Sequence, residues 1–314
     1  MRISVFPKGE LDALVNGTMS LFDWITTAAT LPIEGLELYS RFFTGQDDAF
    51  VTRVGEALAD VSLTLPMLCA SPDFTHPDAD VRAQEHEDQL RIMRIARELG
   101  GPGVSVRVLS GQRHPGVALE QGLDWAAEHI GSLIPVARDL DVVLAVENHY
   151  KDGFWSYPEF AQRPEVFYAL LDRIDERVHF GVQFDPSNAI TAGTDAVTLL
   201  AEVIERVVTM QASDRHLAPG ADLEGLRLSD GTIGYSPDLR HGVIGQGLND
   251  YPTIFTMLAD AGYDGWISVE DGVNGMDEMR ASVEFLREAR ERYFGGSTEL
   301  HVAHHERARE AASA

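Results

Sequence analysis

Apolar runs recur along the chain at Ile3–Phe6, Gly35–Tyr39, Leu63–Leu68, Val104–Leu109, Val142–Glu147, His179–Asp185, Val207–Gln211 and Gly265–Glu270. Several are near-continuously apolar instead of alternating, the pattern of parallel strands covered on both faces. Between them the spacing changes to that of helices. LFDWITTAAT follows the first run, FVTRVGEALADV the second, QLRIMRIAREL the third and LDWAAEHIGSLIPVARDL the fourth. EVFYALLDRI, opened by Pro164 as a first-turn residue, AVTLLAEVIE, PTIFTMLADAG and SVEFLREARERY complete the series. Strand and helix alternating eight times, at intervals of roughly 30–40 residues, predicts an α/β protein of the (β/α)8 TIM-barrel class. The runner-up is an open doubly wound sheet. No GxGxxG follows the first run, so a dinucleotide-binding version of that sheet has no support.

Two connections exceed the usual length: residues 150–163 (YKDGFWSYPEFAQR) after the fifth run, and residues 212–250 after the seventh. Both follow strands, on the face where barrel enzymes build their sites, and loops of this kind commonly serve as lids or binding loops. The barrel is expected to span 1–294. The tail, 295–314, is helix-prone and carries His301, His304 and His305; it reads as a surface or oligomer-contact element, not a metal site.

Composition narrows the choice of function. Hydrophobic residues make up 44% of the 314, enough for a sizeable core. No apolar run approaches the ~18 residues of a membrane span. The N-terminus lacks the charged-then-apolar pattern of an export signal. One cysteine, Cys69, sits in apolar LPMLCAS and reads as core packing. Together these point to a cytoplasmic protein without disulfides. The net charge of −25 disfavours nucleic acid and anionic membranes as partners, and a small molecule becomes the expected ligand.

The candidate chemistry lies where the strands end. VVLAVENHYKDGFW passes from strand-like material to a polar cluster at Glu147. The sixth run ends in Asp185, the seventh in Gln211 and the eighth in Glu270. In a barrel these positions converge on one rim, and two Glu, one Asp and an amide oxygen form a hard, oxygen-rich donor set suited to Mn²⁺ or Mg²⁺. Without a cation, such carboxylates repel and some must stay protonated. Asp185 is also a helix-capping candidate, because Pro186-Ser187-Asn188 follows it. His149, two residues past Glu147 on the same side of an extended chain, is the candidate acid/base. Asn148 and Lys151 are placed to position substrate. Asp214, Arg215 and His216 follow Gln211, and Lys8 and Arg41 follow the first two runs as candidate binders of an anionic or hydroxylated substrate. Phe154, Trp155, Tyr157 and Phe160 offer an apolar platform for a sugar or aryl ring.

The motifs VENH (Val146–His149), FDPSN (Phe184–Asn188), QASDRH (Gln211–His216), GVIGQG (Gly242–Gly247) and GYDGWISVED (Gly262–Asp271) resemble, in order and spacing, the xylose-isomerase-like barrel superfamily of sugar isomerases and epimerases. That resemblance implies one divalent metal, usually Mn²⁺ with Mg²⁺ or Co²⁺ as alternatives, on Glu147, Asp185 and Glu270. The two glutamates would double as bases. Two departures stand out: Gln211 where sugar epimerases usually carry a metal-binding His, and Asn188 where many carry another. ENHYKDGFW…YPEFAQRPEVF is similar to the α subunit of C-glycoside deglycosidases. This closer likeness implies cleavage of a 3-oxo-glycoside, a small β subunit and an oligomer; the alternative is a ketose 3-epimerase or aldose–ketose isomerase. Apurinic-site endonucleases share the superfamily, but their basic DNA-binding surface is missing here.

Overall fold

The apolar runs become the staves of a barrel in the computed structural model, which describes residues 1–227 and 236–295. The strands are β1 (Arg2–Val5), β2 (Gly35–Leu36), β3 (Leu38–Tyr39), β4 (Met67–Cys69), β5 (Ser105–Val108), β6 (Val143–Glu147), β7 (Phe180–Phe184), β8 (Val207–Ala212), β9 (Arg215–Leu217), β10 (Leu239–His241) and β11 (Trp266–Val269). Nine of them form one sheet in the order β2-β1-β11-β8-β7-β6-β5-β4-β3, with every pairing parallel. β2 and β3 are halves of one stave broken at Glu37. The first half pairs with β1 and bridges to Thr64, the second pairs with β4, and the ring closes there. The result is a single (β/α)8 barrel. The third stave starts later than its apolar run, at Met67 and not at Leu63. Pro66 has no N–H to give a neighbouring strand, so regular pairing begins only beyond it.

The helices cover the barrel because their apolar faces match its outer surface. Helix Leu21–Ala28 buries Leu21, Trp24, Ile25 and Ala28, spaced to form one stripe. Helix Ala79–Gly100 begins ten residues before its apolar run; Asp78 caps it by accepting from the Asp80 N–H at 2.9 Å, and its first turns are largely solvent-facing. Among the described residues no helix is long and apolar enough to cross a membrane. The long connection after the seventh stave holds an antiparallel hairpin of β9 and β10 and a short helix, Leu223–Arg227. Residues 228–235 of that connection, and the tail from residue 296 with its three histidines, lie outside the described residues.

The base of the barrel carries a stability determinant. Before β7, Glu176 Oε1 accepts from the N–H groups of Arg177, Val178 and His179 at 3.0, 2.8 and 3.2 Å, while Oε2 meets Arg138. Burial acts upward on this carboxyl, but these donors outweigh it and hold it at about 2. Glu176→Ala is expected to cost about 1–3 kcal/mol, read as a lower urea midpoint at neutral pH. The folded value lies below the ordinary 4.5, so this stabilisation is complete above 4.5 and fades as pH falls towards 2. An unchanged midpoint at neutral pH would remove the assignment.

Candidate active site

Parallel strands all end on one face, and the end of β6 and the residues just past β7 and β11 bring Glu147, Asp185 and Glu270 together there. Glu147 is 1% exposed, Asp185 1%, Gln211 0% and Glu270 7%. Around them the barrel interior is unusually polar, holding Ser4, Glu37, Arg107, Gln183, Thr209 and Ser268, all buried.

Two cations from other staves meet this cluster. Arg107, in the middle of β5, donates from Nη1 to Glu147 Oε2 at 2.8 Å and is otherwise held by Ala70 O and Ser71 Oγ, each at 3.0 Å. Lys8, just past β1, donates to Glu270 Oε1 at 2.8 Å. Asn188 Nδ2 reaches the other Glu147 oxygen at 2.8 Å. Asp185 caps the helix Pro186–Thr191, accepting from the Asn188 N–H at 2.8 Å, and also accepts from Ser213 Oγ. Capping and membership of the cluster therefore coexist in one side chain.

The electrostatics follow from burial and from where those cations sit. Burial, with Glu270 and Glu147 as neighbours, pushes the Asp185 carboxyl well above its usual range. Burial also lifts Glu147 to about 7 against the pull of Arg107. On Glu270 burial acts upward too, but Lys8 outweighs it and the group lies at about 2. Asp185 and Glu270 approach closely enough to share a hydrogen bond when one is protonated.

The other expected site residues take different places. Gln211 lies within the barrel; its Oε1 accepts from Gln183 Nε2 at 2.6 Å and its Nε2 donates to Glu37 Oε2 at 2.7 Å. Both ends of the Asn148 amide are engaged by the Asp185 backbone, at 2.6 and 2.8 Å, so this residue ties β6 to β7. His149 is buried with its ring edge-on to Trp155, centroids 6.2 Å apart. Lys151 is half-buried. Arg215 and His216 belong to the hairpin strand β9, with Arg215 paired to His241 and His216 to Arg240. Phe160 and Trp155 are buried, whereas Phe154 and Tyr157 are exposed. Arg41 lies 4.1 Å over the Phe154 ring.

Several residues at the site had no place in the strand-end argument. Asp152 accepts from Tyr39 OH at 2.7 Å and Ser71 Oγ at 2.6 Å, with Arg107 4.0 Å away. His241 donates from Nδ1 to, or accepts at Nδ1 from, Asp271 at 2.8 Å. Glu159 lies behind His149, 3.6 Å from its Nδ1. Arg107 and Glu37 did leave a signal, since each is a charge embedded in an apolar run. His241 stands in loop-like sequence with nothing to mark it, and Asp152 and Glu159 are marked only by the length of the loop 150–163.

The donor chemistry can be tested against a divalent metal. Among the described residues no three His, Cys, Asp or Glu side chains are grouped so as to grip an ion as they stand. The donors nevertheless fit one. Glu147, Asp185 and Glu270 are hard oxygen ligands, all buried, and even with Arg107 and Lys8 beside them two remain raised towards protonation. A further positive charge is what such a cluster lacks.

The ends of β3 and β4, the loop after β6 and the helix Ala79–Gly100 line a cavity of about 520 Å³, whose wall includes Tyr39, Arg41, Ser71, Asp73, Glu85 and Trp155. Its wall is more polar than the apolar platform expected of the aromatic loop.

Comparison with known proteins agrees with this architecture. A curated relative, the rhizopine catabolism protein MocC of Rhizobium meliloti, is 27% identical over 205 residues; the match covers 62% of this chain and 58% of that protein's length. A D-tagatose 3-epimerase-like protein superposes with a TM-score of 0.72 at 18% identity, covering 94% of this chain and 99% of that one. The 3-keto-D-glucoside 4-epimerase of E. coli superposes with a TM-score of 0.65 at 14% identity, covering 92% and 99%. The family model described as "Xylose isomerase-like TIM barrel" matches residues 25–289, most of the barrel, and the chain belongs to that family.

Proposed function

We propose that this protein is a divalent-metal-dependent enzyme that enolises a keto-sugar, and that it cleaves a 3-oxo-glycoside, including C-glycosides. The observation that carries the reading is the buried cluster of Glu147, Asp185 and Glu270 at three strand ends, flanked by Arg107 and Lys8. Glu147, Asp185 and Glu270 are the residues that would hold the metal, with Gln211 beneath them; Mn²⁺ is the proposed ion. When bound, it supplies Lewis-acid polarisation of the sugar carbonyl.

The chain's own groups supply the proton transfers. His149 takes the C2 proton, and the C–H electrons pass to the carbonyl oxygen as an enolate. Return of those electrons forms C1=C2 and breaks the bond from C1 to the aglycone, which departs with the electron pair and receives a proton. Arg107 holds Glu147 in place throughout, and Lys8 does the same for Glu270. The polar cavity reaches Ser71, which Arg107 contacts, and suits a hydroxylated aglycone better than a bare aryl ring. The 3-keto-D-glucoside named for one structural neighbour supports a 3-oxo sugar as substrate.

Epimerisation is the second reading, favoured by the likeness to a D-tagatose 3-epimerase-like protein. It uses the same enolate, with the proton returned to the opposite face. Incubation with a 3-oxo-C-glycoside and with a free ketose separates the two. Aglycone release from the first is expected; epimerisation of the ketose with no release would replace the lyase reading. Metal removal by chelation is expected to abolish turnover, with restoration by Mn²⁺. Full activity in a protein shown metal-free by elemental analysis would defeat both readings. The lyase reading also includes a small second subunit. Its test is co-purification from the native source.

A further inference from the structure

Two buried polar atoms face each other in the loop after β6, and neither has a hydrogen-bond partner. They are His149 Nδ1 and Glu159 Oε2, 3.6 Å apart. Glu159 is 1% exposed and His149 9%. Leaving a buried donor or acceptor unsatisfied costs about 1–3 kcal/mol, so a facing pair calls for an explanation.

The surroundings show why these two atoms belong together. Glu159 is fixed from behind: the Ser110 N–H donates to its Oε1 at 2.9 Å, and the Ser110 hydroxyl donates to the same oxygen. That hydroxyl itself accepts from the Ala161 N–H at 3.0 Å, so its own proton is directed at Glu159. The Glu159 N–H donates to Tyr150 O at 2.7 Å, pinning the far end of the loop to the residue next to His149. With Oε1 anchored, Oε2 is aimed at the imidazole. Asp152, another carboxylate near His149, is already occupied. Asp152 Oδ2 accepts from Tyr39 and Ser71, and its Oδ1 accepts from the Phe154 N–H. Trp155 packs edge-on to the ring and limits its swing.

We infer that Glu159 is a positioning residue for His149. Its carboxylate accepts a hydrogen bond from Nδ1–H, which fixes the ring and leaves Nε2 as the nitrogen that meets substrate. The inference rests on the reading of His149 as the proton-transferring group and adds to it the group that orients that histidine. The gap of 3.6 Å is longer than a hydrogen bond, but catalytic contacts often lengthen in unliganded structures and tighten on binding. Burial lifts the Glu159 carboxyl to about 8 against the pull of the Ser110 donors, so the carboxylate that accepts from Nδ1–H is the form present above that pH, and the tautomer is read there. The arrangement follows a general rule: the hydrogen bond at one ring nitrogen selects the tautomer and so determines what the other can do.

Glu159→Gln tests this without emptying the site. Glutamine can still accept from Ser110 through Oε1, but it turns an NH₂ group towards Nδ1 and pushes the ring proton onto Nε2. The readout is ¹⁵N NMR of imidazole-labelled protein, with Mg²⁺ in the buffer in place of paramagnetic Mn²⁺. His149, assigned by its loss in His149→Gln, is expected to show a protonated Nδ1 and an unprotonated Nε2 in the wild type, and the reverse in Glu159→Gln. Deuterium uptake at C2 of a 3-oxo-glucoside in D₂O should fall on the order of 10²–10⁴-fold in kcat with KM little changed. A purely structural role for Glu159 would leave the tautomer unmoved. A wild-type proton on Nε2, or ring shifts identical in the two proteins, overturns the inference whatever the turnover. The reversed tautomer together with full turnover of His149→Gln upholds the Glu159–His149 pairing and overturns only the proton-transfer reading.

Discussion

Glu147→Gln is expected to lower turnover by on the order of 10²–10⁴-fold, with the barrel still folded. The substitution keeps the size and shape of the side chain, and an amide oxygen can still accept from Asn188 Nδ2, now 2.8 Å from Oε1. What it removes is charge. Glu147 is one of three buried carboxylates at the strand ends and the one that meets Arg107. In the proposed reaction it is both a metal donor and part of the field in which the enolate forms. A neutral amide is a weaker ligand for a hard cation, so metal retained after dialysis should fall along with kcat, and elemental analysis reads that directly. Turnover equal to the wild type would show that the chemistry lies elsewhere. A loss of metal with unchanged turnover would show that the ion is structural.

Arg107→Met is expected to be the more damaging change to stability, by roughly 3–5 kcal/mol, because it strands buried carboxylates without their cation. The guanidinium is 4% exposed, donates to Glu147, to Ser71 and to Ala70 O, and lies 4.0 Å from Asp152. Methionine fills much of the space and supplies none of those donors. The pH dependence gives the loss its signature. Glu147 already stands at about 7 against an ordinary 4.5, so its ionisation opposes folding as pH rises through that window. Without Arg107 the folded value moves higher still. The urea midpoint of the metal-free variant should therefore fall in parallel with that of the wild type between 4.5 and 7 and go on falling above 7, where the wild-type contribution levels off. Curves that stay parallel above 7 would mean that Arg107 acts by packing alone. This change and Glu147→Gln share a partner, so their combination should cost less than the sum of the two.

Much of the fold was legible in the sequence because burial leaves a local trace. A stave buried on both faces carries few charges, and the run Val142–Glu147 shows it. The helices show theirs as stripes, such as Leu21, Trp24, Ile25 and Ala28. The exceptions have local causes. Pro66 delays β4, and the polar start of helix Ala79–Gly100 carries no apolar stripe to announce it. The hairpin of β9 and β10 hides in a stretch of Gly, Asp and Pro because its strands are three residues each and bury little surface.

The site was legible only in part. Glu147, Asp185 and Glu270 could be named because each interrupts an apolar run, and the barrel places such interruptions on one rim. Their partners could not. Arg107 is 40 residues from Glu147 and Lys8 is 262 from Glu270. Strand order in the closed sheet, and not any local pattern, sets β1 beside β11. Gln211 illustrates the same limit: its type and position suggested a ligand, while the fold surrounds its amide with Gln183 and Glu37. The alternation of strand and helix, and the positions where charge meets the end of a strand, can be read along the chain because they depend on how each segment is buried. Tertiary structure alone decided which cation meets which carboxylate, and that Glu159 stands behind His149, because those contacts depend on where distant segments lie once the barrel has closed.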